Sequence, residues 1–266
     1  MARLAALLLV GLCACARAPY TNRSQLILVD SNQEIALGTQ AFRQVVAKSH
    51  VDRDPKVNAQ VDEVGRRLAA VAKRPDFQWN FVVFDDKQVN AFCLPGGKVG
   101  IYTGILPVAQ DQNGLAVVMG HEIAHAIARH GAERMSQAEL AQIAGQALAI
   151  GLGGRPEAGL ILSAYGLGAQ VGVLMPYGRT QESEADHIGL LLMAQAGYDP
   201  RTAIDFWQRM ARVDRSSRTP EFLSTHPSGG TRIQQLRAWM PEATRLYAAT
   251  SPAPNARIVG NATATR

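Results

Sequence analysis

The chain has 266 residues, 47% of them hydrophobic, and 27 Lys and Arg against 22 Asp and Glu give a formal net charge of +5. That length and apolar share suffice for a full hydrophobic core. The small, scattered positive charge offers no basic surface for nucleic acid; a mild attraction to anionic membrane surfaces is the most it supports.

Met1-Ala2-Arg3 and the apolar run 4–12 read as a secretory signal, too short to span a bilayer. Its end, Leu12-Cys13-Ala14-Cys15, resembles a bacterial lipobox with Cys15 as the lipidated first mature residue, although Cys13 departs from the pattern. With Ala16 rather than Asp next, the resemblance implies an outer-membrane lipoprotein facing the periplasm, held by a two-chain anchor. Processing removes residues 1–14, and with them Arg3, leaving 26 basic against 22 acidic residues and a charge of +4. Of the three cysteines, at 13, 15 and 93, only Cys93 then keeps a free thiol, so no disulfide is available. Cys93 is expected to fill core space beside Phe92 and Leu94 rather than to act as a nucleophile.

Residues 15–30 read as a lipidated tether. Ser31 and Glu34 suggest a capping box for a helix over 31–49. Asp54-Pro55 opens a second helix to about residue 73, with Val57, Val61, Val64, Leu68 and Val71 on one face. A strand follows at 79–84, and another at 98–103 after the turn Pro95-Gly96-Gly97. The second strand alternates Val99, Ile101 and Thr103 with Lys98, Gly100 and Tyr102, so one edge could take a substrate peptide as an added strand.

Asp111 is placed to cap the next helix, which is apolar nearly all round from Leu115 to Ala128. Within it stands His121-Glu122-Ile123-Ala124-His125. Two His at i and i+4 lie one turn apart on one helical face, so both rings can reach a zinc ion about 2.0–2.1 Å away. Glu122 is then placed as general base toward a water that the zinc activates. A buried helix cannot carry these three polar side chains without partners, and a metal supplies them. Ala128 and Gly131 stand where a metzincin would have its Gly and third His, so the third ligand lies elsewhere.

The stretch 158–178 has 21 residues without a charge, long enough to cross a membrane, but five glycines and Pro176 favour helices or a Gly-rich lid packed near the site, even a plug over the zinc. After it, an amphipathic run from Arg179 ends at Gly197. Glu182 and Asp186 share one face of that helix, a spacing that suits a metal-binding carboxylate and a second carboxylate accepting a hydrogen bond from a ligating His. Glu184 is turned about 200° away and reads as solvated or salt-bridged. His226, before Pro227, sits in a loop; it could be solvated, a donor to the transition-state oxyanion, or a fourth ligand that closes the site. His50, His130 and His187 have no such claim. Ser228 caps a last helix to about Trp239, and the Ala-, Thr-, Pro- and Asn-rich stretch from Ala249 is expected to be disordered. The reading is one α+β domain, mainly helical with a small sheet beside the metal helix: residues 1–14 signal, 15–30 tether, 31–248 metallopeptidase domain, 249–266 tail.

Gly120-His121-Glu122-Ile123-Ala124-His125, then Glu182-Ser183-Glu184-Ala185-Asp186, then Thr225-His226-Pro227 with Arg232, resemble the zinc peptidase family that includes the CAAX prenyl proteases, the HtpX membrane proteases and the mitochondrial stress protease. Asn90-Ala91-Phe92, Pro95-Gly96-Gly97 and Tyr102-Thr103-Gly104 are similar to bacterial periplasmic lipoprotein proteases of the LoiP and BepA kind, and the match runs over about residues 20 to 240. The resemblance implies a gluzincin-type domain holding one zinc by His121, His125 and Glu182, with Asp186 behind the ligands and His226 and Arg232 near the metal. It also implies an endopeptidase acting on misfolded or unassembled envelope proteins. The competing reading is a lipoprotein chaperone or assembly factor whose site a fourth ligand keeps closed; a prenyl-peptide protease would need membrane spans.

Overall fold

The computed structural model describes residues 15–170, 175–216, 221–226 and 230–258. The signal segment 1–14, residues 171–174, Pro227, Ser228 and residues 259–266 lie outside the described residues.

The chain opens with β1 (Cys15–Arg17) and β2 (Ser24–Leu26), an antiparallel hairpin in which Cys15 stands opposite Leu26. Residues 15–30 are therefore not a free tether. Ala18 and Gln25 are buried, and the Gln25 side-chain amide donates to Ala128 O at 2.7 Å. Helix α1 (Ser31–Lys48) is capped by Asp30, which accepts from Asn32 N and Gln33 N, rather than by the Ser31/Glu34 box. Glu34 is instead buried and takes Arg129 Nε at 2.7 Å. A buried carboxylate is better satisfied by a guanidinium than by a backbone amide it would share with water. Helix α2 (Pro55–Val71) starts as the sequence predicts, with Asp54 as cap and Pro55 in its first turn, and buries Val57, Val61, Val64 and Leu68.

The strands β3 (Asn80–Phe84), β4 (Ala91–Leu94) and β5 (Lys98–Tyr102) form one sheet in the order β3-β5-β4, with β5 parallel to β3 and antiparallel to β4. The strand at 98–102 is thus central and has no free edge, which overturns the expectation that it adds a substrate strand. The alternation that marks a half-buried strand is the same for central and edge positions. Gly96 and Gly97, at φ 86° and 79°, make the tight β4–β5 turn that the sequence marks.

A single 3₁₀ turn (Thr103–Ile105) and the short helix α3 (Leu106–Ala109) lead to α4 (Gln112–Ile127), capped by Asp111, whose carboxylate accepts from Gly114 N. Every residue of α4 from Gly114 to Ile127 is buried. Arg129, at φ 57°, breaks the helix and turns the chain into α5 (His130–Leu152). Helix α6 (Ala158–Ala169) packs back along α5, where the Tyr165 hydroxyl donates to Ala141 O at 2.8 Å. None of its residues is buried, and Leu160 is 76% exposed. Residues 158–169 are therefore helical, as one of the two alternatives had it, and lie exposed on α5. Among the described residues no helix is long and apolar enough to cross a membrane.

Helix α7 (Met175–Gln195) lies against α4, followed by α8 (Thr202–Ser216), α9 (Glu221–Thr225) and α10 (Arg232–Ala248). The last helix runs well past Trp239, with Pro241 inside it. Residues 249–258 are not a disordered tail. They fold back on the start of α4, with Ala253 N donating to Gly197 O at 2.7 Å and Ile258 N to Gln110 O at 3.0 Å. Backbone hydrogen bonds, which carry no sequence signature, hold this low-complexity stretch together with the side chains of Asn255 and Gln112, which pair with Asn113 N and Ala256 N.

Helices α4 and α7 cross at two glycines. A Cβ on Gly189 would stand 2.8 Å from His121 N and 2.9 Å from Gly120 C. Gly189→Ala is expected to force the helices apart and to destabilise the protein by about 1–3 kcal/mol. Thermal unfolding checks it; an unchanged midpoint would show that the crossing has room to spare.

Candidate metal centre

The α4–α7 crossing brings the predicted side chains together. His121 and His125 present Nε2 to Nε2 at 3.1 Å. Glu182, one face of α7, reaches them with Oε1 3.3 Å from His125 Nε2 and Oε2 3.4 Å from His121 Nε2. His226, at the end of α9, closes the group with Nδ1 3.2 Å from Glu182 Oε1 and 3.4 Å from His121 Nε2. One ligand atom from each of these four residues lies within 4.8 Å of the others. Glu122 flanks the cluster: its buried Oε1 makes no hydrogen bond, and His226 Nε2 stands 3.4 Å away.

The surroundings orient the rings. His121 Nδ1 bonds Asp186 Oδ1 at 2.9 Å, and Asp186 Oδ2 accepts from Arg232 Nε at 2.5 Å. Arg232 also donates from Nη2 to Glu182 Oε2 at 3.2 Å and sits over Trp207, its Cζ 3.8 Å from the ring centroid. The structure thus places Asp186 against His121, and Arg232 against Asp186 and Glu182. When neutral, with its Nδ1–H given to Asp186, His121 turns a lone pair toward His125 and Glu182; in the metal-free protein a second proton, on Nε2, answers Glu182 instead. Imidazole nitrogens and a carboxylate converging at such distances need a shared cation, a proton or a metal, and this donor set fits a metal ion.

Two polar side chains depart from the reading of the sequence. Glu184 is salt-bridged as one of its alternatives had it, but it is buried: it takes Arg23 Nε at 2.8 Å and the Thr21 hydroxyl, both from the β1–β2 hairpin. His130, expected to be unremarkable, is fully buried, with Nδ1 2.8 Å from His125 Nδ1. The sequence signal for it was only its proximity to the His125 motif, and the break at Arg129 makes helical spacing useless there. His187 stacks on Trp239 at 4.5 Å, away from the cluster.

Electrostatics follow from burial. Burial disfavours the imidazolium of His121, but hydrogen bonds to Asp186 and Glu182 outweigh it and raise its pKa to about 9 in the metal-free protein. Burial holds His125 well below the ordinary histidine value. It also pushes Glu122 above the ordinary carboxylate value. Burial would raise Glu182 too, yet the three surrounding imidazoles hold it far below that range. The Cys93 thiol is pushed up by burial and the nearby Glu122 charge, which leaves it un-ionised and matches a packing role. If a metal binds through His121 Nε2 it displaces the proton there, so zinc binding is then expected to strengthen as pH rises toward 9, by about tenfold per pH unit. Zinc titrations between pH 6 and 9 check this; a flat profile would show that His121 carries no proton to displace.

Residues 55–240 match the model of peptidase family M48. The chain belongs to this family. It is 36% identical over 231 residues to the mitochondrial metalloendopeptidase OMA1 of Schizosaccharomyces pombe, an alignment covering 85% of this chain and 66% of that protein. It is 33% identical over 242 residues to the mitochondrial metalloendopeptidase OMA1 of Homo sapiens, covering 86% of this chain and 46% of that one. With the beta-barrel assembly-enhancing protease of Yersinia pestis it shares 31% identity over 212 residues, 77% of this chain and 43% of the relative. The chain thus spans from under half to about two thirds of the length of these relatives. The M48 match, together with the His/Glu cluster, makes its peptidase domain that of a zinc metalloendopeptidase.

Proposed function

We propose that the protein is an endopeptidase of the bacterial envelope in which His121, His125 and Glu182 hold one zinc ion and Glu122 is the general base. The observation that carries this reading is the convergence of His121 Nε2, His125 Nε2 and both Glu182 oxygens beside a buried Glu122 carboxylate oxygen that makes no hydrogen bond. Bound zinc supplies polarisation of the scissile carbonyl and acidifies water toward a pKa of roughly 7. Glu122 takes the proton of the attacking water and returns it to the leaving amine, a task suited to a carboxylate whose pKa burial has raised. Asp186 fixes the His121 tautomer, and Arg232 steadies both carboxylates.

A substrate peptide adds as a strand to β4, which is an edge of the sheet and packs on α4. Recognition of backbone rather than sequence suits misfolded or unassembled envelope proteins as substrates. The lipobox-like Cys15 and the preceding apolar run support a lipoprotein on the periplasmic face of the outer membrane. The beta-barrel assembly-enhancing protease among the relatives agrees with an envelope address.

His226 supports a second state of the same site. With Nδ1 3.2 Å from Glu182 Oε1 it stands as a fourth donor, and catalysis needs one position open. A lipoprotein chaperone with a closed, rarely active site rests on this contact. In the open state the same ring, 3.4 Å from Glu122 through Nε2, becomes a donor to the oxyanion.

Elemental analysis of the purified protein, with casein cleavage by the same preparation, tests the reading. One zinc per chain, and cleavage that a chelator stops and added zinc restores, is the expected result. Well-folded protein without zinc would overturn it, and zinc-loaded protein that never cuts would leave the chaperone.

A further inference from the structure

His130 has no part in the mechanism above, yet both its ring nitrogens are engaged in the interior. Arg129 at φ 57° folds the start of α5 back, so that the His130 ring meets the His125 ring edge-on, centroids 4.8 Å apart and planes at 77°. His130 Nδ1 lies 2.8 Å from His125 Nδ1, and its Nε2 lies 3.0 Å from Glu184 Oε2. A histidine that binds metal through Nε2 carries its proton on Nδ1. His125 therefore donates to His130 Nδ1, which leaves the His130 proton on Nε2, donated to Glu184. Glu184 also accepts from Arg23 Nε at 2.8 Å and from the Thr21 hydroxyl, and Arg23 grips Glu133 with both terminal nitrogens at 2.7 and 2.8 Å. Glu133 is held in addition by Gln181, the neighbour of Glu182, at 2.7 Å. The bonds from Arg23 through Glu184 and His130 to His125 thus form one chain with consistent directions.

We propose that His130 is a positioning residue for the metal centre: it holds the ring of His125 by accepting its Nδ1 proton, and it is itself held, through Glu184, by Arg23 of the β1–β2 hairpin. The inference rests on the reading of His125 as a zinc ligand. It gives the hairpin a role as an outer brace of the site, although its residues lie about a hundred positions away in sequence from those they steady. Hydrogen-bond partners of this kind fix ligand tautomer and direction, and their loss typically weakens a metal by about 10–100-fold.

Zinc affinity of the full chain, by competition with a chromophoric chelator, tests the proposal when read beside thermal unfolding of the metal-free protein. His130→Leu is expected to raise the zinc Kd by about 10–100-fold, and His130→Gln, whose amide accepts through oxygen and donates through nitrogen, to recover most of that loss. A residue that only fills space would lower the unfolding midpoint of the metal-free protein and leave the zinc Kd within about twofold of wild type, and that outcome overturns the proposal. Should the leucine variant fail to fold, Glu184→Gln asks the same question: a Kd raised severalfold supports the chain of bonds, and an unchanged Kd breaks it. His125→Ala separates the two layers of argument. If it binds zinc like wild type, the ligand assignment is at fault; if it loses zinc while His130→Leu and Glu184→Gln keep it, only the brace is wrong.

Discussion

Glu122→Gln is expected to lower kcat on casein or a fluorogenic peptide by about 10²–10⁴-fold, the usual contribution of a general base, while zinc content stays at one per chain. The two halves of this result separate because Glu122 flanks the donor cluster without belonging to it. The amide keeps the volume and one acceptor oxygen, so neither α4 nor the His pair need move. What it loses is the capacity to take a proton. The wild-type pH profile should carry the same signature. A base acts only when unprotonated, and burial raises the Glu122 pKa, so activity is lost as pH falls through a value above the ordinary carboxylate range. A variant that kept a tenth or more of wild-type turnover would remove Glu122 from this role, since even the weakest general bases contribute about 10²-fold. A chaperone activity, by contrast, would survive the substitution unchanged.

What was legible in the sequence is what depends on a single helix. His121 and His125 share a face because residues four apart always do, and Glu182 and Asp186 follow the same rule on α7. Capping by Asp111 and Asp54 was equally local. Most of the losses lie where partners are remote. Residues 15–30 look like a tether because nothing nearby answers Arg23 and Gln25; their partners are Glu133, Glu184 and Ala128. The strand order β3-β5-β4 is a pairing of segments, and alternation along one of them does not tell which neighbours it has. His130 was missed for a third reason. The helical wheel that pairs His121 with His125 ends at Ala128, and the positive φ of Arg129 sends the next residue in a direction that no periodicity encodes.

Arg232→Ala should be the most destabilising single change at the site, by about 3–5 kcal/mol, because it strips a buried cation from two buried carboxylates. Arg232 is 6% exposed and binds Asp186 at 2.5 Å and Glu182 at 3.2 Å while its Cζ sits over the Trp207 ring at 3.8 Å. Truncation leaves one anion facing His121 alone and a cavity against the indole. Arg232→Lys should recover little, since a single ammonium cannot span both carboxylates or cover the ring as a guanidinium does. The loss should also depend on metal. In the zinc-loaded protein the cation itself compensates Glu182, so urea unfolding should show a smaller penalty with zinc than after chelation. A penalty below about 1 kcal/mol in the chelated protein, at the level of an exposed ion pair, would mean that Arg232 does not neutralise these carboxylates. Helix α10 would then be held to α7 by its apolar residues, Leu236 and Ala243 among them, and the guanidinium would be free to act on substrate instead.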